Sequence, residues 1–151
     1  MQDSDIKTFL KSWGFFGEIL NPQDPIVDLY LESFPKSEQL IVFGEFNREI
    51  VNFIIYQLIE REKIKKQAKA LTTYHLVEDI YLLDHELIVI FEIGTLSSYP
   101  HKISIAYNQL FNILNREIPL IITTSSEEWL NKLPLPIANL LKGTFTFIGD
   151  E

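Results

Sequence analysis

The residues of this sequence that could carry out chemistry are two acids and three histidines. Asp79 and Glu92 each lie within an apolar run typical of a strand, and 92 − 79 = 13 positions separate them. His75, His85 and His101 are scattered near predicted strand ends or loops, where a single histidine is usually an ordinary surface residue. The sequence shows no glycine-rich phosphate loop, no GxSxG elbow and no paired-histidine metal motif. The two acids are therefore the first candidates for a site.

These acids lie in a segment whose pattern predicts a crossover between two parallel strands. His75–Leu83 and Leu87–Ile93 predict two strands, and the polar residues at Leu83–Glu86 predict a hairpin between them. A helix at Ile103–Leu114 and a strand at Pro119–Thr124 follow. A strand, a helix and another strand in this order form a parallel pair, so that hairpin and crossover together predict a mixed sheet.

The rest of the chain supplies helices and shorter apolar runs. Residues 47–66 have the clearest helical pattern of the first half, with Asn47 as a cap and Glu49 where the helix dipole favours an acid. Ile26–Phe34 fits the period of neither a helix nor a strand, so both remain open. We expect a single α/β domain over residues 1–151, with a central mixed β-sheet flanked by helices. Its other elements are helices at Asp3–Trp13, Ser125–Leu133 and Ile137–Leu141, an apolar run at Gln39–Phe43 and an edge strand at Thr144–Ile148.

The composition bounds the kind of protein. The net charge of −8 opposes approach to nucleic acid or an anionic membrane and favours a basic protein partner. There are no cysteines, which fits a reducing compartment. The first residues lack a secretory pattern, and the apolar runs are far shorter than the roughly 20 residues of a membrane-spanning helix. We expect a cytoplasmic protein.

The order helix, three strands, helix, strand, with acids at Asp79 and Glu92, resembles the PD-(D/E)XK nuclease-like superfamily over roughly Phe46 to Thr124. The resemblance implies a restriction-endonuclease-like fold in which the two acids bind a divalent metal such as Mg²⁺. The metal would activate water against a phosphodiester. Glu45 or Glu49 would supply a third acid.

The sequence departs from that pattern after the second acid. Gly94 stands where the superfamily has a lysine, two residues after Glu92. Lys102, in the loop before the predicted helix at Ile103–Leu114, would have to replace it. A shared fold without the chemistry is the interpretation that follows.

We therefore expect a non-enzymatic acidic protein-interaction module, such as an adaptor, an assembly factor or an inhibitor, without a cofactor. The alternative is a metal-dependent nuclease that uses Asp79 and Glu92, with Lys102 as the displaced cation and Mg²⁺ as the cofactor. Whether the chain is an enzyme, and whether it forms a homo-oligomer, the sequence leaves open.

Large aromatic residues near both ends of the chain are the candidates for contact with a partner. Three end or follow the first predicted helix beside glycines, and two lie on the terminal strand, which could be an open sheet edge. The competing interpretation places all of them in the core. The predicted contact residues are Trp13, Phe15, Phe16, Phe145 and Phe147.

Overall fold

The computed structural model describes residues 2–36, 39–76, 85–93, 100–125 and 133–149. Helices and strands alternate along most of this chain. The helices are α1 (Asp3–Ser12), α2 (Pro25–Ser33), α3 (Asn47–Glu60), α4 (Thr73–Leu76), α5 (Pro100–Asn115) and α6 (Leu135–Thr144). The strands are β1 (Gln39–Phe43), β2 (Ala68–Thr72), β3 (Leu87–Phe91), β4 (Leu120–Thr124) and β5 (Phe145–Gly149).

The five described strands form one sheet in the order β2-β3-β4-β1-β5. Each pairing in the described sheet is parallel, from Ala68 opposite Leu87 at one edge to Phe43 opposite Gly149 at the other. Parallel pairing requires a crossover between successive strands, and the helices supply it. All five residues of β3 and of β4 are buried, as expected for strands covered on both faces.

The two faces of the sheet bury separate apolar clusters. Alternate residues of β3 divide between them, because successive side chains of a strand point to opposite faces. Leu87 and Val89 join the cluster that includes α1, α2 and α3, whereas Ile88 and Ile90 join the one that includes α5 and α6. The sheet is thus the middle of three layers. No helix within the described ranges is long and apolar enough to cross a membrane.

The prediction of an α/β domain with a central sheet flanked by helices is confirmed, and so is the crossover from β3 through α5 to β4. The predicted hairpin partner of β3 is replaced by β2, a parallel strand. The predicted strand at 75–83 begins instead in helix α4, and its residues 77–83 lie outside the described part. β2 was not predicted. Its residues include Lys69, which suits the edge position of the strand in the described sheet.

Local capping explains why the segment at 26–34, whose sequence pattern allows either a helix or a strand, forms a helix. The Asp24 side chain accepts a hydrogen bond from the backbone N–H of Ile26 at 2.8 Å. Pro25 occupies the first turn, where its missing N–H costs no helical hydrogen bond. The predicted helix at 47–66 ends earlier, at Glu60, while the predicted helix at Ile137–Leu141 extends to Leu135–Thr144.

A hydrogen bond between exposed side chains connects α1 with α3 and gives a pH-dependent prediction. The Tyr56 hydroxyl donates to Asp3 Oδ1 at 2.6 Å, which lowers the pKa of Asp3 from 3.8 and raises the pKa of Tyr56 to about 12. The carboxylate contributes stability above pH 3.8 that is lost as the pH falls through its lowered pKa. The phenol contributes stability below pH 10.0 that is lost as the pH rises through about 12.

We therefore expect Tyr56→Phe to lower the denaturation midpoint at neutral pH and to have no effect well below pH 3.8. Urea unfolding at both pH values checks this. Tyr74→Phe, at a tyrosine that is 69% exposed, is the control. An equal loss at both pH values would show that Tyr56 acts through packing instead.

Two glycines near the end of the chain give a matched pair of variants. A Cβ at Gly149 would lie 2.0 Å from the backbone oxygen of Phe43, and its φ of +147° disfavours other residues. A Cβ at Gly143, in α6, would meet nothing within 4 Å. We expect Gly149→Ala to cost about 1–3 kcal/mol and Gly143→Ala to gain about 0.5 kcal/mol in urea unfolding. Equal effects of the two changes would contradict the pairing of β5 with β1.

Candidate functional site at the carboxyl edge of the sheet

The carboxyl ends of β1, β3 and β4 meet around a cleft. In open parallel sheets, ligands bind in the crevice outside these strand ends. The cleft has a volume of about 360 Å³ and also borders the first turn of α3. Its lining residues are Gly44, Glu45, Asn47, Arg48, Glu49, Glu92 and Ser125.

Glu92 directly follows β3 and is fixed by hydrogen bonds from both sides. Its Oε1 accepts from Asn47 Nδ2 at 3.2 Å, and its Oε2 accepts from Ser125 Oγ at 2.7 Å. Its backbone N–H donates to Thr123 Oγ1 at 3.0 Å, and its carbonyl oxygen accepts from Thr73 Oγ1 at 2.8 Å. These bonds hold Glu92 at a φ of +60°, a left-handed conformation that non-glycine residues adopt at a cost of order 1–3 kcal/mol.

Asn47 joins three elements around the cleft. It is 3% exposed, and its Nδ2 donates to the carbonyl oxygens of Gly44 at 2.9 Å and Thr124 at 3.3 Å as well as to Glu92. Because all three partners are acceptors, the amide nitrogen must face them. The opposite atom, Oδ1, is buried and has no hydrogen-bond partner within the described residues.

The charge of the cleft lining is predominantly negative. Glu45, Glu49 and Glu92 contribute carboxylates, and Arg48 is the one basic residue in this lining. The Arg48 guanidinium lies over the Phe91 ring, with its carbon 4.3 Å from the ring centre. Glu49 Oε2 is buried without a hydrogen-bond partner in the described chain. The site therefore presents acceptors and negative charge.

The predicted catalytic residues are only partly placed. Glu92 lies at the cleft with Glu45 and Glu49, Lys102 lies in the first turn of α5, and Asp79 is outside the described residues. No group of three or more histidines and acids in the described ranges could hold a metal ion. The roles of Asn47 and Ser125 at this cleft were not predicted from the sequence. Each directly follows or lies near the end of a parallel strand, and this position is the signal that could have identified it.

The predicted contact aromatics divide between core and surface. Phe15 and Phe145 are buried at 2% and 6% exposure, and Phe147 packs against the core while partly buried. Phe16 is 61% exposed, and its carbonyl oxygen accepts a hydrogen bond from the buried Asn52 side chain. Trp13 is partly buried and lines a second cleft together with Phe9.

The fold is similar to that of solved structures of DNA replication proteins. The DnaC helicase loader is similar with a TM-score of 0.67 and 11% identity, over 96% of this chain and 99% of that one. AMPPCP-bound DnaA from Aquifex aeolicus is similar with a TM-score of 0.65 and 11% identity, over 88% of this chain and 48% of that one. DnaA bound to AMPPCP and single-stranded DNA gives a TM-score of 0.63 and 11% identity, over 96% and 50%.

The chain spans about half the length of these DnaA structures. No protein-family model matches the sequence, and the comparison with curated proteins gives no match. At 11% identity the likeness establishes the fold.

This fold corrects three predictions. The resemblance to the PD-(D/E)XK superfamily is wrong, because β3 lies between parallel strands and not in a hairpin. The prediction of a non-enzymatic interaction module, with its nuclease alternative, is wrong because the similar structures are replication initiators and a helicase loader. The prediction of no cofactor, or of Mg²⁺ alone, is wrong for this fold because DnaA structures that share it contain AMPPCP.

The residues at the cleft do not fit a nucleotide held by a P-loop. A P-loop has the pattern GxxxxGK[ST], in which backbone N–H groups and a lysine contact phosphates and a hydroxyl contacts Mg²⁺. Here β1 and α3 are joined by Gly44, Glu45 and Phe46 alone. The segment 44–50 contains no lysine, serine or threonine, whereas Glu45 and Glu49 would repel phosphate.

Asn47→Leu tests whether this asparagine holds the cleft together. The change keeps a similar volume but removes the donor to Glu92 and to the carbonyl oxygens of Gly44 and Thr124. We expect a loss of about 1–3 kcal/mol in the free energy of unfolding, measured in urea. Asn112→Leu, on the exposed side of α5, is the matched control. Equal stability of the two variants would mean that the Asn47 hydrogen bonds contribute nothing.

Proposed function

We propose that this chain acts at the start of DNA replication, as an AAA+-type domain that works with the initiator or the helicase-loading machinery. The observation that carries the proposal is the likeness to the DnaC helicase loader, which covers nearly the whole of both chains. A likeness of this extent includes every described layer of the domain, so it does not rest on one common motif.

In this proposal the nucleotide is bound by a partner protein in the assembly. DnaA structures with this fold contain AMPPCP, so a nucleotide is expected where such domains work. The short turn before α3 and its acids do not fit phosphates in this chain. We therefore assign the phosphate contacts to a nucleotide-loaded partner of the same fold and expect the partner's nucleotide state to control association.

The partner is proposed to be a protein that contacts the exposed part of the aromatic candidates. Phe16 offers the largest exposed ring among them, and Trp13 lies close in sequence at the end of α1. Large aromatics are frequent anchors at interfaces. The net charge of −8 favours a basic partner surface and disfavours direct contact with DNA. This role fits the cytoplasmic location expected from the sequence.

The proposal predicts nucleotide-dependent association. We expect the purified chain to bind the DnaA or helicase loader encoded in its own genome about tenfold more tightly with Mg²⁺ and AMPPCP than without nucleotide. Sedimentation velocity with one labelled component measures both affinities. A single-stranded oligonucleotide alone should show no binding, because phosphates meet an acidic surface. Absence of binding to both proteins in the presence of AMPPCP would refute the proposed role.

A matched pair of surface variants locates the contact in the same assay. We expect Phe16→Ser to weaken binding about tenfold, which corresponds to about 1.4 kcal/mol. Tyr74→Ser removes an aromatic ring of similar exposure in α4 and should leave the affinity unchanged. The reverse order of effects would move the contact to the other surface.

A further inference from the structure

The cleft at the carboxyl edge of the sheet is short of hydrogen-bond donors. Asn47 is 97% buried, yet its Oδ1 has no hydrogen-bond partner in the described chain. Glu49 Oε2 is also buried and also has no hydrogen-bond partner there. Leaving such an acceptor without a hydrogen bond costs roughly 1–3 kcal/mol, and more for a charged group. Two such atoms in the lining of one cleft therefore favour a ligand that donates.

The charge of the lining points in the same direction. Glu45, Glu49 and Glu92 all line the cleft, and the Arg48 guanidinium lies over the Phe91 ring. A donor-bearing cation would reduce the repulsion between the carboxylates. An anion would increase it.

We propose that this cleft binds a guanidinium group, supplied by an arginine side chain of a partner protein. A guanidinium is planar and carries five N–H donors in a fixed fork, which suits a cleft lined by several acceptors. An ammonium is more strongly hydrated and costs more to bring into the site. A divalent metal is disfavoured because no group of three or more histidines and acids in the described ranges could hold one.

The inference concerns the cleft alone and does not rest on the proposed role in replication. It goes beyond that role because it names the chemical group recognised and the atoms that recognise it. None of the predicted contact aromatics is among the residues that line this cleft, and Trp13 lines a different one.

The test is an NMR titration of the isolated ¹⁵N-labelled chain with N-acetyl-arginine methylamide. We expect shifts at the amides of Gly44 and Ser125 and at the Asn47 side-chain NH₂, with a Kd on the order of 1 mM. The citrulline analogue has the same shape without the charge and should bind at least about tenfold more weakly. Equal binding of the two analogues, or tighter binding of the lysine analogue, would overturn the assignment of a guanidinium.

Charge variants decide whether the cleft is the site. Glu49→Gln should weaken binding about tenfold, the loss expected for one charge-assisted hydrogen bond. Glu45→Gln, at an exposed position, is the second variant and should weaken binding by a smaller factor if Glu49→Gln does not fold. Glu117→Gln makes the same charge change before the opposite end of β4 and should have no effect. Equal weakening by all three would show only general attraction to an acidic protein.

AMPPCP with Mg²⁺ is the competing ligand. If it shifts the same resonances more strongly than the arginine analogue, the cleft is a phosphate site and the inference is wrong. If it leaves them unchanged while the arginine analogue binds, the inference stands even where no complex with a replication protein is found.

Discussion

The hydrogen bonds of the Asn47 side chain are the interaction on which the edge of the sheet depends. One amide group reaches the turn after β1, the end of β4 and the acid after β3. Parallel strands have no direct turns between them, so their carboxyl ends are separate segments that a side chain must join. Because Asn47 is also the first residue of α3, the same group fixes the direction in which this helix leaves the sheet. Glu92 tolerates its left-handed conformation in this setting because Asn47, Ser125 and Thr123 restrain it.

Much of the scaffold could be predicted from the sequence because its buried strands are rich in β-branched residues. Leu87–Phe91 and Leu120–Thr124 are uninterrupted apolar or small runs with a helical pattern between them, and that order leaves little besides a parallel crossover. β2 escaped prediction because Ala68–Thr72 contains Lys69 and small residues, and it continues a basic run that also suits a helix end. Without β2, the strand beside β3 had to be sought further along the chain, and the hairpin and the nuclease resemblance both followed from that error.

The candidate site could be predicted only in part, because its residues come from three distant segments. Glu92 was recognised as an acid at a strand end, and Glu45 and Glu49 as acids near it. Asn47 was read as a helix cap, yet its side chain donates to strand ends 45 and 77 positions away in sequence. No local pattern contains that information, since it depends on the strand order. The absence of a phosphate loop was visible in the sequence, but only the fold shows that the turn between β1 and α3 lies at the strand ends, where ligands bind in open parallel sheets.

The position of α3 at the strand ends explains which charges the cleft attracts. Helix α3 still begins at the strand ends, where its first N–H groups would favour an anion. In this chain Glu49 lies in that first turn, and the Glu92 carboxylate accepts from the side chain of its first residue. Acids of the protein thus lie where a phosphate would otherwise be attracted. A site that contains carboxylates favours cations over anions, so the edge residues set the preferred charge of a ligand independently of the sheet and its crossovers. Fold and ligand are separable here because the sheet is held by its two apolar clusters, and the edge residues contribute to neither.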